Sequence, residues 1–105
     1  MPPAKPLIAC DLGALSTGQR LHEQELLAEF RAAVREPQET ETGFRFVLSE
    51  DPALLARLGE FLALERLCCP FLNFELAVPA GREPVSLHIY GEPAVKPFVR
   101  SVFIG

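Results

Sequence analysis

At 105 residues, with 49% apolar and 23% charged side chains, the chain has the size and make-up of one globular domain and is far from disordered or collagen-like composition. A net charge of −4 and a pI near 5.1 argue against the basic surface that nucleic acid or an anionic membrane requires. Three cysteines, two of them adjacent, make a poor disulfide framework. With no run of membrane-spanning length and no signal-peptide core near Met1, the expectation is a cytoplasmic protein with free thiols or thiolate ligands.

Residues 1–105 read as a single domain, with residues 1–6 a flexible, proline-rich start. Leu7-Ile8-Ala9-Cys10 suits a short edge strand or an arm laid over the core. Ser16 and Gln19 form a capping-box pair, and Leu26, Leu27, Phe30, Ala33 and Val34 recur at helical spacing, so a first helix is expected from about Thr17 to Arg35. Glu36 to Gly43 is polar and holds both Pro37 and Gly43, which predicts the longest internal loop. Phe44, Phe46 and Leu48 alternate with polar neighbours as in a half-buried strand.

Asp51-Pro52 is a helix start, followed by an apolar stripe of Leu54, Leu58, Phe61 and Leu62. That helix should end by Cys68, because Pro70 forces the preceding residue out of helical geometry. Phe74-Leu76-Val78 and Val85-Leu87-Ile89 alternate across a turn containing Gly81, a β-hairpin. Val95 to Phe103 suggests a last short helix, with Pro97 tolerated only in its first turn. The predicted fold is α+β: a three- or four-stranded, mostly antiparallel sheet with helices packed on one face.

The chemistry concentrates at Glu65-Arg66-Leu67-Cys68-Cys69-Pro70-Phe71. At about 100° per residue Glu65 falls within the apolar stripe, where an ionised carboxylate without partners costs several kcal/mol or keeps its proton. Arg45, the Tyr90 hydroxyl or backbone amides are candidate partners. Cys68 and Cys69 lie three and four residues beyond Glu65, within reach of the same helical turn. Adjacent thiolates on an unwinding turn suit a large soft ion in near-linear or trigonal geometry: mercury, zinc, copper or arsenite. A reactive redox dithiol is disfavoured by position, since the C-terminal end of a helix opposes negative charge. Buried, inert cysteines chosen for packing are the plain alternative.

The run Glu65-x-x-Cys68-Cys69-Pro70-Phe71-Leu72 with Phe74, Leu76 and the upstream Cys10-Asp11-Leu12 resembles a group of small bacterial proteins marked by a Glu-x-x-Cys-Cys-Pro-Phe motif. The resemblance covers most of the chain in outline, apart from the loop before Phe44 and the position of Pro97. It associates the motif with metal-responsive regulators as partners, and it implies Cys10 as a third thiol.

His22 lies among charged residues on a solvated helix face, and His88 shares a strand face with Ser86 and Tyr90, a surface for solvent or a homodimer contact. No phosphate loop, Ser-His-Asp set or His-Glu-x-x-His motif is present, so no catalytic residue is assigned. The expected function is a non-enzymatic accessory protein holding a soft metal or metalloid at a site of Cys68, Cys69, Cys10 and Glu65, with the vicinal pair as ligands, Glu65 orienting them or accepting a proton, and Cys10 a candidate third ligand. The alternatives are a protein-interaction or homodimerisation domain and a thiol-dependent redox or detoxification enzyme.

Overall fold

The computed structural model describes residues 10–104. The expected strand or arm at Leu7-Ile8-Ala9 and the flexible start at 1–6 lie outside the described residues. A 3-10 turn at Leu12–Ala14 is followed by helix α1 (Thr17–Ala33), strands β1 (Val34–Glu39) and β2 (Gly43–Leu48), and helix α2 (Pro52–Cys68). Strands β3 (Asn73–Ala77) and β4 (Ser86–Tyr90) and helix α3 (Val95–Val99), which widens into a π-type turn over Arg100–Ile104, complete the order. The fold is α+β with a four-stranded sheet in the order β1-β2-β4-β3, every neighbouring pair antiparallel.

Helix α1 starts where the sequence placed it. Ser16 accepts from the Gln19 amide while the Gln19 side chain accepts from the Ser16 amide, the reciprocal capping box. It ends two residues early, because Val34 turns extended and opens β1. The expected loop over Glu36–Gly43 is thus corrected: most of it is an exposed edge strand paired with β2. An edge strand has one side of its backbone free, so Pro37 is accommodated without the N–H a central strand would need. Polarity here reflects exposure rather than lack of structure.

Gly43 is required by packing at the start of β2. A Cβ there would collide with the Ile89 carbonyl oxygen and lie 2.7 Å from the Tyr90 Cα. Strands β3 and β4 form the expected hairpin, with Phe74 opposite Ile89 and Leu76 opposite Leu87, although β3 is largely exposed. Pro97 is the third residue of α3, where a helix has no use for its missing N–H.

Cross-strand partners point to the same side, so Phe44, Phe46, Leu48, Leu87 and Ile89 share one buried sheet face. The helices pack there. Phe30 of α1 stacks on Phe61 of α2 at 5.3 Å and meets Phe46 and Phe103 edge-on. The opposite sheet face carries Arg45, Glu75, Ser86, His88 and Tyr90. His88 stacks on Tyr90 at 4.6 Å and bonds the Thr40 hydroxyl, and Tyr90 donates to Glu75 at 2.6 Å. No helix is long and apolar enough to cross a membrane among the described residues.

Candidate functional site: a three-thiol cluster beside a buried carboxyl group

The site is built by the end of α2. Asp51 caps the first turn through the Ala53 amide, and Pro52 occupies the first helical position. From there Leu58, Phe61, Glu65 and Cys68 fall on the buried side at spacings of three and four residues. The same periodicity that seats Phe61 in the aromatic core carries Glu65 and Cys68 inward one and two turns later.

Ahead of Pro70 the chain leaves the helix at Cys69, whose backbone turns to φ −125° and ψ 66°. Its amide still donates to the Glu65 carbonyl at 2.7 Å, and its own carbonyl accepts from Leu72 at 3.1 Å. This local unwinding swings the Cys69 sulfur to within 3.6 Å of the Cys68 sulfur. Two consecutive residues of an uninterrupted helix would present their side chains about 100° apart.

The third sulfur arrives from the other end of the chain. The Asp11 amide donates to the Cys68 carbonyl at 2.7 Å, stitching the N-terminal segment to an otherwise unpaired carbonyl in the last turn of α2. Asp11 also caps the 3-10 turn through the Gly13 amide. Cys10 is thereby set with its sulfur 3.0 Å from that of Cys69, and all three sulfurs lie within 4.8 Å of one another. Cys68 and Cys69 are buried and Cys10 is half-buried; all three are free cysteines.

Glu65 sits beside the cluster and outside the mutually close sulfur set. One of its carboxyl oxygens accepts from the Cys69 thiol at 3.6 Å, a long contact, and the other has no hydrogen-bond partner among the described residues. The expected partners do not serve it. Arg45 lies on the far sheet face and Tyr90 is committed to Glu75. Among the described residues Glu65 is the one buried polar or charged side chain, at 1% exposure. Burial, reinforced by the nearby Glu23 carboxylate and by Cys68, pushes its pKa up to about 10, so it holds its proton at neutral pH.

The thiols are graded by the same contacts. The hydrogen-bonding contact with Cys69 holds the Cys68 thiol below its ordinary range. Cys69 is pushed up by its contact with the Cys68 sulfur and then by burial, while burial raises Cys10. Cys68 is therefore the first to ionise. Ions that displace the remaining thiol protons would recruit the other two.

A pocket of about 240 Å³ opens beside Cys10 and Cys68, bounded by Leu15, Leu21, Arg20 and Glu23 of the N-terminal segment and α1. It provides a way in to the sulfurs. The roles of Glu23 and this wall were not part of the sequence reading, although Glu23 precedes Leu26 and Phe30 by three and seven residues and thus belongs to the inward stripe of α1. His22 lies elsewhere, at the surface, bonded to Glu60 at 2.9 Å.

Comparison with protein-family models, with curated proteins and with solved structures gave no match. The reading of the site rests on its own geometry.

Proposed function

We propose that the protein binds a soft metal or metalloid ion through Cys10, Cys68 and Cys69, with Glu65 as an uncharged neighbour that orients the Cys69 thiol. The observation that carries this is the meeting of three free sulfurs from two segments some sixty residues apart in sequence, within 4.8 Å of one another. Sulfur ligands select soft ions over magnesium or calcium. Two thiolates on a tetrahedral zinc, with Zn–S about 2.3 Å, stand roughly 3.8 Å apart, close to the separations here. A linear two-sulfur ion with bonds of that length needs roughly 4.6 Å between its ligands. The vicinal pair at 3.6 Å and the Cys10–Cys69 pair at 3.0 Å are too close for a linear ion, which only the Cys10–Cys68 pair, within 4.8 Å, could span; bent binding uses all three sulfurs.

Titration of accessible thiols with and without mercuric, arsenite, zinc and cuprous ions, paired with mass spectrometry under native conditions, tests this reading. One ion per chain with loss of all three thiols is expected, and Cys10→Ser, Cys68→Ser and Cys69→Ser should each weaken retention. Thiols that stay unreactive until the chain unfolds, with no ion retained, would return the cysteines to a packing role.

A second reading has one observation in its favour. Cys10 and Cys69 sulfurs at 3.0 Å are placed to join as a disulfide under oxidation, which would make the cluster a thiol redox centre. Mass analysis before and after mild oxidation distinguishes it, by loss of two hydrogens and of metal retention together.

A further inference from the structure

We propose that the three-thiol site takes trivalent arsenic, and that the pocket beside it admits an arsenical carrying one organic group, held by two thiolates with that group against Leu15 and Leu21. The inference rests on the soft-ion reading above and names its ligand class.

Charge is the first argument. The cluster is buried in an apolar setting in which, among the described residues, the one buried polar or charged side chain is Glu65, itself an acid. Among the described residues no cation is fully buried there to balance a net negative complex, and the half-buried Arg20 on the pocket wall is matched by the half-buried Glu23; an uncompensated buried charge is costly. Three thiolates on divalent zinc or mercury leave one negative charge, and on cuprous ion two. On trivalent arsenic they leave none.

Shape is the second argument. Three-coordinate arsenic is pyramidal, with its ligands on one side of the ion, which suits sulfurs drawn together at 3.0 and 3.6 Å. Its uncovered side then faces whatever lies next to the cluster. Cys69 is fully buried behind, while Cys10 and Cys68 form part of the pocket wall.

The pocket supplies the third argument. A site for a bare ion has no need of the recess of about 240 Å³ beside it, whose wall sets Leu15 and Leu21 among Thr17, Arg20, Glu23 and Gln24. An apolar cavity of about 150 Å³ is enough for a benzene ring. An aryl or alkyl group fits there while its arsenic stays at the sulfurs. Leu21, 59% exposed in the chain as it stands, gains cover from such a ligand.

The binding step is a ligand exchange without change of oxidation state. With arsenite, three As–O bonds break and three As–S bonds form, and the three thiol protons leave in three waters. With a mono-organic arsonous acid, R–As(OH)₂, two As–O bonds give way to two As–S bonds, the two thiol protons leave in two waters and the As–C bond is kept. The third thiol remains free.

Arsenite and phenylarsine oxide are the probes, measured on the intact protein by native mass spectrometry, free-thiol titration and competition against a small dithiol. Arsenite should consume all three thiols and phenylarsine oxide two. The substitution Leu21→Trp, at an exposed position, should weaken phenylarsine oxide by about tenfold or more, the scale of one ring's burial, and arsenite by no more than about twofold. Gln24→Trp, at another exposed pocket position, gives an independent version of the same comparison. Equal thiol loss for the two probes, or equal responses to both Trp variants, overturns the organic-group pocket while leaving soft-ion binding intact. Failure of the wild-type protein to bind either probe overturns both.

Discussion

Two regions of helix α2, one turn apart, are built on opposite principles. Around Phe61 the interior is an aromatic cluster with Phe30, Phe46 and Phe103, rings 5.3 to 6.3 Å apart and no polar atom to satisfy. Around Glu65 the same buried side holds a carboxyl group with one oxygen unpartnered among the described residues, and three free thiols close by. Leucines at those positions would fill the space at lower cost. The first region is apolar packing alone, and the second sets titratable groups where packing alone would set apolar ones.

That comparison predicts which changes act on stability and which on binding. The largest stability effect is expected from Phe61→Ala, a loss of about 3–5 kcal/mol in denaturant unfolding, because it opens a cavity at the centre of the ring cluster. Cys69→Ser should instead leave the unfolding midpoint within about 1–2 kcal/mol of the parent while lowering soft-ion affinity by about a hundredfold, roughly 2.7 kcal/mol. If Cys69→Ser destabilised the ion-free protein as much as Phe61→Ala does, the division between the two regions would fail.

Glu65→Gln sharpens the comparison further. The folded carboxyl titrates near 10, against an ordinary 4.5 in the unfolded chain, so folding takes up a proton between those values. Stability from this group is complete below pH 4.5 and is lost progressively as pH rises toward 10. Removing the group should therefore stabilise the ion-free protein at pH 8, by roughly 1–3 kcal/mol, and flatten its stability between pH 5 and 9. A Gln variant less stable than the parent at pH 8, with the pH slope unchanged, would mean that Glu65 is ionised and paired in the fold. The smallest effect is expected at the start of α1, where Ser16 caps the helix between the pocket residues Leu15 and Thr17. Ser16→Ala removes one half of the capping box and should cost about 1 kcal/mol, with ion affinity unchanged.

Much of the fold was legible because its elements carry strong local signals. The Ser16–Gln19 box, the Asp51-Pro52 start, the Pro70 stop and the alternation of Phe44, Phe46 and Leu48 each name an element and an edge. Strand β1 was missed because an exposed edge strand buries almost nothing, so its sequence looks like a loop; only pairing with β2 defines it. The inward placement of Glu65 and Cys68 followed from helical periodicity alone. What periodicity does not contain is contact between distant segments. The approach of Cys10 depends on one backbone hydrogen bond, from Asp11 to the Cys68 carbonyl, and amides carry no sequence signature. The partners proposed for Glu65 failed for a related reason, since which face of a strand meets which helix decides that Arg45 and Tyr90 point away.

The central claim is that three sulfurs act as one site. X-ray absorption at the arsenic edge of the arsenite-loaded protein counts the neighbours of the bound ion directly. Three sulfur neighbours and no oxygen are the predicted result, falling to two sulfurs and one oxygen in Cys10→Ser. A first shell of oxygen, or a sulfur count that Cys10→Ser does not change, would contradict it.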